Sequence, residues 1–306
     1  KADALTGNRS FSLDGPGETV INGAFATTTA FGLQIVKNGD GVLTLGTNGA
    51  ASNWNQAGSA MDIDRGTLRF AADNAIPSAS AANTGVTLSP ELVAFDTATV
   101  DLNGTTQTIT TLTATSNGTV RLDNTSADPA EFRFGANNTA VNFGSGAGTY
   151  SVENTGSGAL SLVKLGNTSA TFNSGVTIGA KGSIASEGGG AFTLAGAVTA
   201  ATGLRVTGAS TLALAGGITN PGLLASVEVG AGSVLTLLDG AGSDFANLTT
   251  LRLGDTGTGT ATLNLNAGTG ATDVFRLAAG GTLALGGTVT FNLTDAGLDA
   301  NTTYTL

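Results

Sequence analysis

Apolar residues along this chain recur two apart in short runs. The pairs Leu43 and Leu45, Leu68 and Phe70, Leu212 and Leu214, and Leu263 and Leu265 show the pattern most plainly. A spacing of two places side chains on one face of a β-strand. The residues between them are Thr, Ser, Arg, Asn or Asp, which suit a face turned to water. The runs include VLTLG at 42–46, GTLRF at 66–70, GTVRLDN at 118–124, AFTLAGA at 191–197, STLALAGG at 210–217, ATLNLNAG at 261–268 and TVTFNL at 288–293. Gly or Asn flanks nearly every one, as sharp corners require. No segment has the helical period.

Very short strands at roughly 8–12-residue intervals are compatible with a sandwich, a barrel or a solenoid. The persistence of one pattern over 306 residues with little drift in composition favours the solenoid. The fold expected is all-β: a right-handed parallel β-helix, single-stranded, forming one solenoid over 1–306. Two or three strands per turn imply coils of about 20–25 residues. About a dozen coils at ~4.8 Å each would form a rod of roughly 60 Å. Leu43, Leu45, Leu68, Leu102, Leu122, Leu194, Leu212, Leu214, Leu263, Leu265 and Leu285 are expected to face inward.

Composition sharpens this picture. Gly accounts for 47 residues, about twice the usual share. Charged residues are 11%, yet aliphatic residues recur throughout, so the chain can fill a core. The absence of Cys removes disulfides, zinc–thiolate sites and thiol nucleophiles. The absence of His removes the commonest general base and metal ligand. A net charge of −10 argues against nucleic acid. No apolar run is long enough to span a membrane as a helix. The chain begins at Lys1 without Met, which is read as mature or trimmed numbering, compatible with removal of an export signal.

Residues 33–70 carry the sharpest motif. LQIVKNGDGVLTLGTN at 33–48 resembles the opening of the autotransporter-associated β-strand repeat, also called the passenger-associated transport repeat. That repeat has a Lys, two spaced Gly, a Leu-Thr-Leu strand, then Gly and Asn. The matching positions are Lys37, Gly39, Gly41, Leu43, Leu45, Gly46 and Asn48. Its Gly-Thr-Leu strand is matched by Gly66, Thr67 and Leu68, and its following Asp-Leu-Asn-Gly stretch by Asp101, Leu102, Asn103 and Gly104. The best repeat thus covers 33–120, and 121–306 reads as degenerate repeats. LVKLGNTSATFNSGVTI at 162–178 echoes the opening without the Gly-x-Gly. The resemblance implies a right-handed β-helix exported to the bacterial surface or beyond. The chain departs from the family in carrying no membrane-barrel translocator within these residues, and it ends in NTTYTL as if mid-strand.

Several features bear on chemistry. Asp62 and Asp64 alternate on one strand and are expected to face solvent beside Arg65, rather than to bind metal or catalyse. Asp295 and Asp299 sit in a loop-like stretch and are weak calcium candidates; beyond that no cofactor is expected. Glu187–Gly190 reads as a turn: no phosphate-loop lysine follows. Trp54, the single Trp, is read as buried at a coil corner, with an exposed partner- or sugar-stacking ring as the alternative. Together these point to a non-catalytic extracellular structural protein: a stalk, a surface-layer component or a self-assembling fibre subunit. Its expected partner is itself, end to end or by strand lending. The alternative is an adhesin that binds cell-surface glycan.

Overall fold

The computed structural model describes residues 9–23, 33–46, 60–76, 85–88, 96–136, 140–179, 181–254, 259–268 and 272–296. Backbone contacts divide the chain into two compact units, Lys1–Leu160 and Ser161–Leu306. Both are parallel β-solenoids. Every strand pairing among the described residues is parallel and joins a strand to one a full coil further on. The one helical element there is a 3-10 turn, Pro221–Leu223.

In the first unit, one sheet contains Arg9–Leu13, Leu33–Lys37, Ala60–Ile63, Gly85–Leu88, Thr111–Ala114 and Val141–Phe143. The chain turns after each of these strands into a second sheet. That sheet contains Glu18–Ile21, Val42–Leu45, Gly66–Phe70, Thr97–Asp101, Thr119–Asp123 and Thr149–Val152. A third side appears where Thr106–Thr108 pairs with Ala130–Phe134.

The second unit repeats the plan. Ala170–Phe172, Ala191–Leu194, Thr211–Leu214, Val234–Thr236, Thr260–Gly268 and Thr288–Ala296 form one sheet. Leu160–Lys164, Ser183–Ser186, Gly203–Val206, Ser226–Val229, Asp244–Leu253 and Val274–Leu285 form another. The remaining side of this unit is reduced to Val176–Ile178, a strand of the sheet that holds Thr149–Val152, and to single bridges from Ile178 to Val198 and Val198 to Ile218.

The alternation in sequence maps onto alternation in burial. Met61 and Ile63 are buried around Asp62, and Leu212 and Leu214 around Ala213. Because strands stack in register, inward residues form ladders, and aromatic rings meet along them. Phe172 and Phe192 pack edge to face with ring centres 5.3 Å apart, and Phe245 and Phe275 stack at 4.9 Å. Such pairs add contact energy beyond simple area burial, so the aromatic rungs anchor the core.

Of the leucines expected inside, ten are buried, from Leu43 to Leu265. Leu285 is not: it is 64% exposed. It lies in the correct ladder, above buried Leu253, but on the last strand of its sheet among the described residues, where no further described strand covers it. Coil length also exceeds the expected range. Phe192 pairs with Leu212, but Leu251 pairs with Leu283, thirty-two residues on. Register shifts beside Leu248 absorb part of that excess within the sheet.

Candidate functional site

The repeat motif builds a corner. Gly39 and Gly41 turn the chain directly over Gly15 and Gly17 of the preceding coil. The Gly41 amide donates to the Gly15 carbonyl at 3.0 Å, and the Val42 amide to Gly17 at 3.2 Å. A methyl group at Gly41 would overlap the Gly17 carbonyl oxygen and come within 2.8 Å of the Pro16 carbonyl carbon. Backbone stacks on backbone here, and only glycine fits. Gly66 closes the same corner one coil on, with φ +79°, the left-handed region open to glycine.

Lys37 sits inside this corner and is buried. Its ammonium donates to the Gly39 carbonyl and, at 3.4 Å, to the Arg65 carbonyl. Burial lowers its pKa, against the opposing pull of the Asp40 and Asp14 carboxylates. Lys164 does the same in the second unit, donating to Gly166 at 2.7 Å and to Gly189 of the next coil. Burial brings its pKa down to about 8. The motif lysine is therefore a clip: it satisfies carbonyls that a tight corner leaves without strand partners.

Asp101 and Asp123 hold a second corner. They stack in register, both buried. Asp101 accepts from the Thr125 amide at 3.2 Å and the Thr125 hydroxyl at 2.8 Å, one coil ahead. Asp123 takes Thr155 in the same way, at 3.0 and 2.8 Å. The Arg69 guanidinium, 2.9 Å from Asp101, offsets the column's negative charge. Asn103 adopts φ +46° and donates its side-chain amide to the Phe70 carbonyl at 3.1 Å. Gly104 donates its backbone amide to Asn124 at 2.9 Å. The interior faces of Leu43, Leu45, Leu68 and Leu102 fill the core beneath, while Thr67 is half-buried and Gly46 abuts the Asn22 side chain. Asn48 and Trp54 lie outside the described residues.

Asp62 and Asp64 do not flank Arg65 on a shared strand face. The strand ends at Ile63, Asp62 accepts a 2.6 Å hydrogen bond from Gln34, and Arg65 pairs with Asp40 at 2.6 Å and Asp96 at 3.4 Å. Asp295 belongs to the strand Thr288–Ala296, not to a loop, and Asp299 lies outside the described residues. Among the described residues, no group of three or more His, Cys, Asp or Glu could hold a metal ion. Gly188, Gly189 and Gly190, all with positive φ, form the turn expected after Glu187.

Two arrangements had no signal in the linear sequence. Buried Asp273 accepts from the Asn266 amide at 2.8 Å and the Ser243 amide at 3.1 Å. Burial raises its pKa to about 6, with the Asp239 carboxylate adding to the rise and these hydrogen bonds opposing it. On the outer face of the second unit's long sheet, a groove of about 270 Å³ is lined by Ser183, Ser226, Thr250, Arg205, Glu228 and Arg252. Register explains it. Ser183, Gly203, Ser226 and Thr250 form one column, and Arg205, Glu228 and Arg252 the next. Gly203 has no side chain, which leaves the dent between the hydroxyls. Glu187 pairs with Arg205, and Glu228 with Arg252 at 3.7 Å, so the groove is close to neutral. Only knowledge of the 20-to-24-residue coils here could have brought these positions together.

Compared with models of known protein families, with curated proteins and with solved structures, the chain gives no match.

Proposed function

We propose that this chain is a non-catalytic structural protein of the bacterial cell exterior: a stalk, a surface-layer component or a fibre subunit built on the autotransporter-associated repeat. The observation that carries this reading is where the buried polar groups are spent. Lys37, Lys164, Asp101 and Asp123, the residues most suggestive of chemistry, are all engaged in joining one coil to the next. A protein whose buried charges serve rung-to-rung cohesion fits a load-transmitting or spacing role. No cofactor enters the proposal. No helix among the described residues is long and apolar enough to cross a membrane. Labelling of intact source cells with an antibody to this chain, combined with electron microscopy of the native material, tests the proposal. Surface-exposed rods, sheets or fibres are expected. Exclusive recovery from the cell interior overturns it.

A second reading is favoured by the groove alone. Its hydroxyl column beside two Arg–Glu pairs offers hydrogen bonds in both directions with little net charge, which suits a neutral sugar ring. Its volume lies near the lower end of small-ligand sites, roughly 300 Å³. Titration against a panel of neutral oligosaccharides checks this, with saturable binding lost in Arg252→Ala as the expected result. Binding indifferent to Arg252→Ala, or no binding at all, refutes it.

A further inference from the structure

The charged residues on the outer face of the second unit's long sheet follow a fixed order along the solenoid. Successive coils contribute Glu187, Arg205, Glu228 and Arg252. Arg205, Glu228 and Arg252 stack in one column, and Glu187 reaches across from the preceding coil to pair with Arg205. The signs therefore alternate, negative, positive, negative, positive. Reversed, that order becomes its own complement. A half-turn about an axis lying along the strands, midway between Arg205 and Glu228, inverts the order of the coils and keeps each column in place. We infer that this face docks against the same face of a second copy in that antiparallel sense, with Arg205 of each molecule opposite Glu228 of the other and Arg252 opposite Glu187. The inference rests on the structural role proposed above and names its partner.

Charge and shape together select a second copy as the occupant. The Arg205 and Arg252 side chains are 44% and 55% exposed, and Glu228 lies 3.7 Å from Arg252. A guanidinium has more N–H donors than one carboxylate can fill, so each Arg can hold its own Glu and a second one from the facing copy. The charges of both copies then join into one neutral network, which is worth more than isolated exposed pairs. Docking without the reversal would set Arg on Arg and Glu on Glu, so charge fixes the antiparallel sense. The neighbouring column fits the same operation. It runs Ser183, Gly203, Ser226, Thr250. The half-turn places the Ser226 hydroxyl of one copy over the dent at Gly203 of the other, and Ser183 over Thr250. The contact is isologous and closes at two molecules. A face six strands tall and about four residues wide offers on the order of 400 Å² per copy. That is the size of a weak, reversible interface.

Sedimentation of the purified full chain over a wide concentration range tests the interface, for the wild type and for the charge reversals Arg205→Glu and Glu228→Arg, with far-UV circular dichroism confirming that both variants fold. The wild type should show a reversible monomer–dimer equilibrium that stops at two and weakens as salt is raised. Each reversal alone sets like charges across the axis twice, and should weaken self-association by roughly tenfold or more. Mixed, the two variants restore every Arg–Glu opposition and should form a heterodimer of near wild-type affinity. A face that was merely damaged would not recover on mixing. Wild-type monomer at every concentration, a dimer indifferent to both reversals, or no recovery in the mixture would each overturn the inference. So would saturable binding of a neutral oligosaccharide by a chain that stays monomeric, which would assign the face to sugar. A monomer still found on the cell surface would overturn this interface and leave the structural role standing.

Discussion

Replacing Gly41 by Ala puts one methyl group where the corner has room for none. The new Cβ would overlap the Gly17 carbonyl oxygen and lie 2.8 Å from the Pro16 carbonyl carbon and 2.9 Å from the Gly15 oxygen. All three are backbone atoms, so no side chain can swing aside. Relief requires the two coils to part, which strains the two backbone hydrogen bonds between them, Gly41 to Gly15 at 3.0 Å and Val42 to Gly17 at 3.2 Å. Overpacking typically costs about 1–3 kcal/mol, and each weakened hydrogen bond about 1 kcal/mol. A loss of about 2–5 kcal/mol is expected. Gly17→Ala is the control. Its methyl would meet nothing within 4 Å, and neither glycine has left-handed φ. Restriction of the unfolded chain should leave that variant unchanged or stabilised by up to about 1 kcal/mol. Urea unfolding followed by circular dichroism supplies the free energies. Amide exchange locates the damage, because a solenoid opens locally: faster exchange is expected in Leu33–Lys37 and Val42–Leu45. Equal stability of the two variants would refute the claim that backbone stacking, rather than flexibility, demands glycine at this corner.

Two further outcomes concern buried charges. The Lys164 pKa of about 8 in the folded chain lies below the ordinary 10.5, so the unfolded chain binds more protons between those values and stability should rise with pH across that window. Lys164→Met should abolish that rise and cost about 1–3 kcal/mol at neutral pH by leaving the Gly166 and Gly189 carbonyls unpaired; urea unfolding across pH 7 to 11 reads both, and a variant with the parental slope contradicts the clip. For Asp273 the sign reverses. Its folded pKa of about 6 exceeds the ordinary 3.8, so the folded chain holds more protons in that window and stability should fall as pH rises from about 4 to about 6. Asp273→Asn should flatten this fall, and parallel pH profiles for variant and parent would disprove the assignment.

What was legible in the sequence was whatever depends on neighbours along the chain. Alternation at Leu43/Leu45 and Leu212/Leu214 marks strand and core because a strand's two faces differ within two residues. The corner glycines were legible as corners. The partner of Lys37 was not, since the Arg65 carbonyl it reaches is twenty-eight residues away. The groove was hidden for the same reason: Arg205, Glu228 and Arg252 become neighbours only once register is known. Leu285 was misplaced because periodicity reports which face a residue occupies, and not whether another coil lies above that face. Asp62 and Asp64 share no strand because the strand stops at Ile63, and the cross-coil partners of Asp62 and Arg65, Gln34 and Asp40, are invisible to local spacing.

The pairing of each coil with its immediate neighbours alone, at offsets from Phe192–Leu212 to Leu251–Leu283, has an evolutionary consequence. A globular core is a closed agreement among all its parts, so gaining or losing twenty residues usually ruins it. Here a duplicated turn arrives with its own matching surfaces already in place. Unequal recombination between such repeats changes the reach of the protein in whole increments while leaving every remaining rung a compatible neighbour. Length becomes a trait that selection adjusts without having to rediscover a foldable sequence each time.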